Sequence, residues 1–182
     1  MEKFDIYDYN RCLTGRISEN PGELKRGEYR LVIHICIFNS QGEMLIQRRQ
    51  DTTGKWPGLW DFSISGCVQA GESAAEAAMR EAKEELNLDL NLDSVPVSLS
   101  ITFSRGYDDI FILHHDVDLR EIVLQDEEVA DVKWASREEI LALIAENRFV
   151  PFFSSFIDTI FSYKQFADVH CPPCKICLYQ LF

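Results

Sequence analysis

Between Leu31 and Phe38 the chain reads LVIHICIF, a nearly continuous apolar run rich in Val and Ile. Asn39-Ser40-Gln41-Gly42 interrupts it with turn chemistry before Met44 to Gln47 resumes the apolar pattern, which predicts a hairpin. WPGLWDFSIS carries a Pro-Gly break and then a short strand over Phe62 to Ser65. VSLSITFS and DIFILHHDV predict another strand pair, turning at Arg105-Gly106-Tyr107-Asp108, and EEVADVKWAS gives a further strand. Ser136 ends that strand and, with Glu139, makes a capping box for the helix REEILALIAEN; a last helix covers Phe152 to Ser162. Strands, a helix, more strands and terminal helices predict an α/β fold, a mixed sheet with helices on both faces.

The segment GCVQAGESAAEAAMREAKEELNL differs from these runs. Nothing between Ser73 and Leu86 is Gly, Pro or β-branched, and Ala, Glu, Met, Lys and Leu are strong helix formers. Ser73 and Glu76 form a capping box, so the first turn begins near Ala74, and Asn87 is the residue best able to take the left-handed conformation that closes the helix. Glu81, Glu84 and Glu85 stand at i, i+3 and i+4 and share one side, where like charges cost roughly 0.2–0.5 kcal/mol per pair. A hard divalent cation offsets that repulsion, because Mg2+ and Mn2+ prefer carboxylate oxygen. Arg80, four residues after Glu76 and four before Glu84, can hold part of the cluster. Ala75, Ala78, Met79, Ala82 and Leu86 make the opposite, apolar side. On helical charges alone, a solvated, salt-bridged surface helix is the more usual explanation of such a segment.

The spacing goes further. Gly66 is followed by five residues, Glu72, seven residues, and then Arg80-Glu81-Ala82-Lys83-Glu84-Glu85-Leu86-Asn87-Leu88. This resembles the Nudix box, with one departure: Asn87 stands where the family has glycine, and Asn tolerates the same backbone region at modest cost. The resemblance covers roughly Tyr29 to Phe161 and implies an α/β/α sandwich. It also implies metal-dependent hydrolysis of a diphosphate linkage, in which water attacks phosphorus in a nucleoside diphosphate derivative or related small molecule. Glu81, Glu84 and Glu85 fall at the family's metal-ligand positions, with Mg2+ or Mn2+ as cofactor. One of them, or a carboxylate from elsewhere, takes the proton from water. Glu72 shapes the loop and the outer coordination sphere, and Arg80 orients the glutamates.

Outside the box, Glu128, with Glu127 beside it, is the best further metal or base candidate; QDEEV also reads as a charged loop. Gln47, Arg48 and Arg49 end a strand that precedes the box, so Arg48 or Arg49 can meet phosphate as a bidentate donor or form a surface ion pair. Trp60 and Tyr107 are stacking platforms for a flat substrate group or core aromatics.

FNSQGEMLIQRR followed by KWPGLWDFSISGCVQAGES also resembles the isopentenyl-diphosphate isomerase branch of the same fold. That branch needs a cysteine just before the box glycine and a histidine just after it, where this chain has Ser65 and Cys67. The isomerase histidine of the first strand is replaced by Arg30, with His34 four residues on. Strand alternation turns adjacent residues to opposite sides, and Cys67 reads as a small packed residue. A non-catalytic sensor of a diphosphate ligand is a third class; the intact box carboxylates weigh against it.

Composition narrows the partners. A chain of 182 residues, 46% hydrophobic, supports one globular domain, and a net charge of −12 disfavours a surface for nucleic-acid polymers, which needs clustered Lys and Arg. No long apolar run or basic-then-apolar N-terminus points to a membrane span or signal peptide, so a cytoplasmic protein with reduced Cys12, Cys36 and Cys67 is expected. Residues 1–28 read as a hairpin and loop bordering the pocket or a homodimer interface, 29–162 as the hydrolase domain, and 163–182 as a Cys-rich tail. In the tail, His170, Cys171, Cys174 and Cys177 are too closely spaced for the two separated ligand pairs of a usual zinc site.

Overall fold

The computed structural model describes residues 3–167; the Cys-rich motif of the tail lies outside the described residues. The chain runs β1 (Phe4–Tyr7), β2 (Leu13–Ser18), a short 3-10 turn (Pro21–Glu23), β3 (Arg30–Phe38), β4 (Met44–Arg49), β5 (Trp60–Asp61), β6 (Ile64–Cys67), α1 (Ala74–Leu86), β7 (Leu99–Phe103), β8 (Gly106–His114), β9 (Val129–Ala135), α2 (Arg137–Ala145) and α3 (Ser154–Ala167). The architecture is the expected mixed sheet with helices on its two faces.

The apolar run of β3 is the axis of a seven-stranded sheet. It pairs in parallel with β8 along its whole length, from Arg30 opposite Gly106 to Phe38 opposite His114. The predicted hairpin forms at its turn, where Phe38 pairs with Met44 and Gly42 takes φ 81°. Beyond that pair β3 and β4 splay: β3 takes β6 as its antiparallel neighbour, and β4 takes β5 and β9. The sheet is therefore divided at the strand entering the box, and this division opens the cavity described below.

Side-chain alternation assigns the two cores. Leu31, Ile33, Ile35 and Ile37 pack with Ala77, Ala78, Ala82 and Leu86 of α1, whereas Cys36, Phe38, Ile110 and Ile112 pack with Ile140 and Leu143 of α2 and Ile157, Ile160 and Phe161 of α3. Both helical capping boxes form, Ser73 with Glu76 and Ser136 with Glu139, and Asn87 closes α1 at φ 53°, ψ 32°. One expectation changes: the turn after β7 is tighter than predicted, and β8 already begins at Gly106. The parallel ladder with Arg30 recruits the chain early, and the Phe103 ring occupies the space a Cβ would need at Gly106. Tyr107 and Asp108 are thereby strand residues.

The β1–β2 hairpin packs beside the box loop through Phe4, Ile6 and Leu24, with Cys67 against them. Its connecting loop is tied to the sheet by the Arg11–Asp109 ion pair. No helix among the described residues is long and apolar enough to cross a membrane.

Candidate active site

Box chemistry begins with Gly66. On β6 it lies opposite Ile33, hence on the α1 side of the sheet, and a Cβ there would stand under 3.0 Å from the carboxylate of Glu81. The missing side chain is the seat of the Glu81 carboxylate. Glu81 and Glu85 are both buried, so the buried side of α1 is Ala77, Ala78, Glu81, Ala82, Glu85 and Leu86. Ala75 and Met79, expected on that side, are half-buried at its margin. The helix rotates so that two of its carboxylates, not only its alanines, meet the sheet.

Arg80 organises the acidic wall. Its Nε and Nη2 donate to the two oxygens of Glu72 at 2.8 and 3.0 Å, Nη2 also reaches the Cys67 carbonyl at 3.0 Å, and Nη1 lies 3.0 Å from Glu84 and 2.9 Å from Glu81. One planar guanidinium thus joins loop, strand and helix, which a lysine cannot do. The Arg80 hydrogen bonds hold the Glu72 carboxyl below its ordinary range, and Glu72 also accepts from the Gln69 amide, so it shapes the loop as expected.

Glu85 sits behind the wall, accepting from Gln47 Nε2 at 2.9 Å and from the Ser65 amide at 3.3 Å. Burial, then the charges of Glu81 and Glu128, push its carboxyl well above the ordinary range. A buried carboxyl pressed by two others is a group that a cation would stabilise. In the arrangement described, the Arg80 guanidinium meets that need for Glu81 and Glu84, and no three His, Cys, Asp or Glu side chains among the described residues converge tightly enough to hold an ion. The donor set itself, all carboxylate oxygen, fits a hard divalent ion.

Two of these carboxylates, Glu81 and Glu84, line a cavity of about 450 Å³. Glu81, Glu84 and Glu128 stand on one wall, and Arg30, Arg49 and Lys55 share the same space. Burial, followed by the charges of Arg30 and Arg49, lowers the Lys55 pKa. Three cations thus gather at one cavity in a chain of net charge −12, with Arg49 also within 3.7 Å of Asp61.

The structure sorts the remaining candidates. Arg49 lines the cavity, with its Nη1 3.7 Å from Asp61 and its Nε donating to the Lys55 carbonyl at 3.0 Å. Arg48 does not line it and lies 3.9 Å from Asp51. Trp60 is buried in the core on the α2–α3 side with Lys133 over its ring, and Tyr107 is buried on the α1 side, donating to the Asp8 carbonyl at 2.8 Å. Neither is brought to the cavity, because each belongs to a strand whose face packs inward; Trp56, Phe103 and Phe152 are the aromatics that line it. Glu127 is exposed beside Glu128. Cys67 packs against Phe4, Ile6 and Leu24 as a small residue, but its face differs from expectation: two residues from Ser65 on one strand, it shares the Ser65 face, lines the cavity and lies 3.8 Å from Arg30 Nη1. Sequence reasoning gave no role to Asp61 and Asp108, and mentioned His34 only by its distance from Arg30. Their signal was a polar residue inside an otherwise apolar strand.

A model of the NUDIX domain matches residues 28–156. An uncharacterized Nudix hydrolase of Listeria monocytogenes is 39% identical over 170 residues, a match covering 93% of this chain and 99% of the relative. An isopentenyl-diphosphate Delta-isomerase of Escherichia coli matches over 60 residues, 33% of each chain, at 32% identity. Among solved structures, DR0079 from Deinococcus radiodurans superposes with a TM-score of 0.73 at 23% identity, covering 87% of this chain and 99% of its own, a likeness of fold.

Proposed function

This chain belongs to the Nudix family of hydrolases, and on that premise we propose that it is a pyrophosphohydrolase dependent on Mg2+ or Mn2+, cleaving the diphosphate linkage of a nucleoside diphosphate derivative or a related small molecule by attack of water at phosphorus. The observation that carries this reading is the seating of Glu81 over Gly66, with Arg80 joining Glu72, Glu81 and Glu84 on the wall of a cavity that also holds three cations.

Glu81, Glu84, Glu85 and Glu128 are the residues that would hold metal. A bound divalent ion supplies Lewis acidity toward phosphoryl oxygen and lowers the pKa of its water. The chain's own residues do the rest. Arg49, Arg30 and Lys55 receive the charge of the diphosphate and orient it. Glu128, exposed at the cavity wall, can take the proton of the attacking water, and its freedom from the Arg80 clamp suits that role better than Glu84. Gln47 and the Ser65 amide fix the Glu85 oxygens, and Glu72 fixes Arg80.

The test is product release from a panel of nucleoside diphosphate sugars, dinucleoside polyphosphates, oxidised nucleotides, dinucleotide cofactors and prenyl diphosphates, with Mg2+, Mn2+ or EDTA. The expected result is metal-dependent cleavage of one class to phosphate-bearing products, abolished by EDTA. Rearrangement of isopentenyl diphosphate without any hydrolysis would overturn the reading in favour of isomerase, and ligand binding without turnover in favour of a sensor.

A further inference from the structure

The cavity has a second polar cluster, on the opposite face of the sheet from Glu81. Strand pairing sets His34 opposite Ser65 and Ile110, and Val32 opposite Cys67 and Asp108. These side chains therefore share the face that looks toward α2 and α3, and His34, Asp108 and Asp61 all line the cavity. His34 Nδ1 is 2.8 Å from Asp108 Oδ1, and the imidazole edge meets Phe62 and Phe152 with ring centroids 5.4 and 5.8 Å away. The ring is fixed in position and orientation. Its Nε2 makes no hydrogen bond among the described residues, and His34 lines the cavity.

Asp61 completes the set. Its Oδ1 accepts from the Phe62 amide at 2.8 Å and its Oδ2 is 3.7 Å from Arg49. Arg49, Asp61, His34 and Asp108 thus line the cavity together, and the Phe152 ring stacks on Phe62 at 4.5 Å beside them. Buried groups of this kind demand polar partners: a ligand that strips their water without replacing its hydrogen bonds is rejected. The flat Phe152 and Trp56 surfaces suit a ring.

We propose, resting on the diphosphate reading above, that Asp61, His34 and Asp108 are the specificity determinants of this site, recognising a hydrogen-bonding ring carried by the diphosphate and refusing an alkyl chain. The phosphates lie against Arg30, Arg49 and Lys55, and the ring lies against Trp56 and the open side of Phe152, beside the Asp61–His34–Asp108 floor. Prenyl diphosphates are then poor ligands although they carry the same phosphates.

Binding separates this from hydrolysis. Calorimetry on the full chain with Mg2+ compares methylenediphosphonate, the α,β-methylene analogues of ADP, GDP, CDP and UDP, and geranyl diphosphate. At least one nucleoside analogue is expected to bind about tenfold or more tighter than methylenediphosphonate, with geranyl diphosphate no tighter than it. His34→Gln and Asp108→Asn, which leave the Arg49–Asp61 pair in place and are checked for folding by thermal denaturation, are expected to lose that gain while keeping methylenediphosphonate affinity. Should one variant fail to fold, the other carries the comparison, since Asp108→Asn preserves shape. Equal weakening toward every ligand, unchanged affinity in a folded variant, or tighter binding of geranyl diphosphate would overturn the assignment. Absence of hydrolysis alone would strike the pyrophosphohydrolase reading and leave these affinities to decide the specificity.

Discussion

At the scale of single residues, the site depends on an absence and on one guanidinium. Gly66 leaves the space that the Glu81 carboxylate fills. Gly66→Ala is expected to displace that carboxylate, lowering kcat about 100-fold, as misplacements near 1 Å do, and to cost about 1–3 kcal/mol in overpacking. Steady-state kinetics beside urea denaturation checks both. Arg80→Lys keeps the charge and loses the fork to Glu72, so Mg2+ affinity should fall about 10–100-fold, measured by metal titration of the activity. Glu72, Arg80 and the three helical glutamates were legible in the sequence because their spacing is fixed by helix and loop geometry. His34, Asp61 and Asp108 were not, since each lies on a different strand and only the parallel register of β3 with β8 joins the first to the last.

At the scale of elements, α1 is specified locally at both ends. The Ser73–Glu76 box satisfies reciprocal backbone donors, and around the left-handed Asn87 the Asn87 amide donates to the Lys83 carbonyl and the Leu88 amide to the Ala82 carbonyl. Ser73→Ala should cost about 1 kcal/mol, and Asn87→Ala about 1–2 kcal/mol because a Cβ without a polar side chain is strained there. Asn87→Gly should match or slightly exceed wild type; denaturation midpoints decide. Helices and their caps were readable because their signals sit within four residues. Strand limits were less so: nothing near Arg105 announces that Gly106 will pair with Arg30, seventy-odd residues away, and that non-local pairing moved Tyr107 from turn to core. The splay of β3 from β4 was likewise invisible, although it makes the cavity.

At the scale of the whole molecule, the chain is acidic yet buries a small mixed-charge site. Three buried groups hold protons more tightly in the fold than outside it. Burial disfavours the charged His34 ring, but Asp108 and Asp61 outweigh it and raise its pKa; burial raises Asp61 and, with Glu81 and Glu128, raises Glu85. Folding therefore takes up protons, and these groups contribute less stability as pH rises above their ordinary values of 6.5, 3.8 and 4.5. Glu72 and Glu139, with lowered values, act oppositely: their contribution is present above 4.5 and lost as pH falls below it. The metal-free protein should accordingly unfold at a lower temperature at pH 8 than at pH 6. Mg2+ should narrow that difference, because it binds the ionised carboxylates. A thermal midpoint rising with pH in EDTA would contradict the buried set.

The most direct measurement is the kcat of Glu84→Gln against wild type on the cleaved panel member at saturating Mg2+, in water enriched in oxygen-18. The account predicts that wild type places the label in a phosphate-bearing product, and that the variant, unchanged in circular dichroism, turns over at least about 100-fold more slowly. Equal turnover in the folded variant, or a product without label at phosphorus, would contradict it.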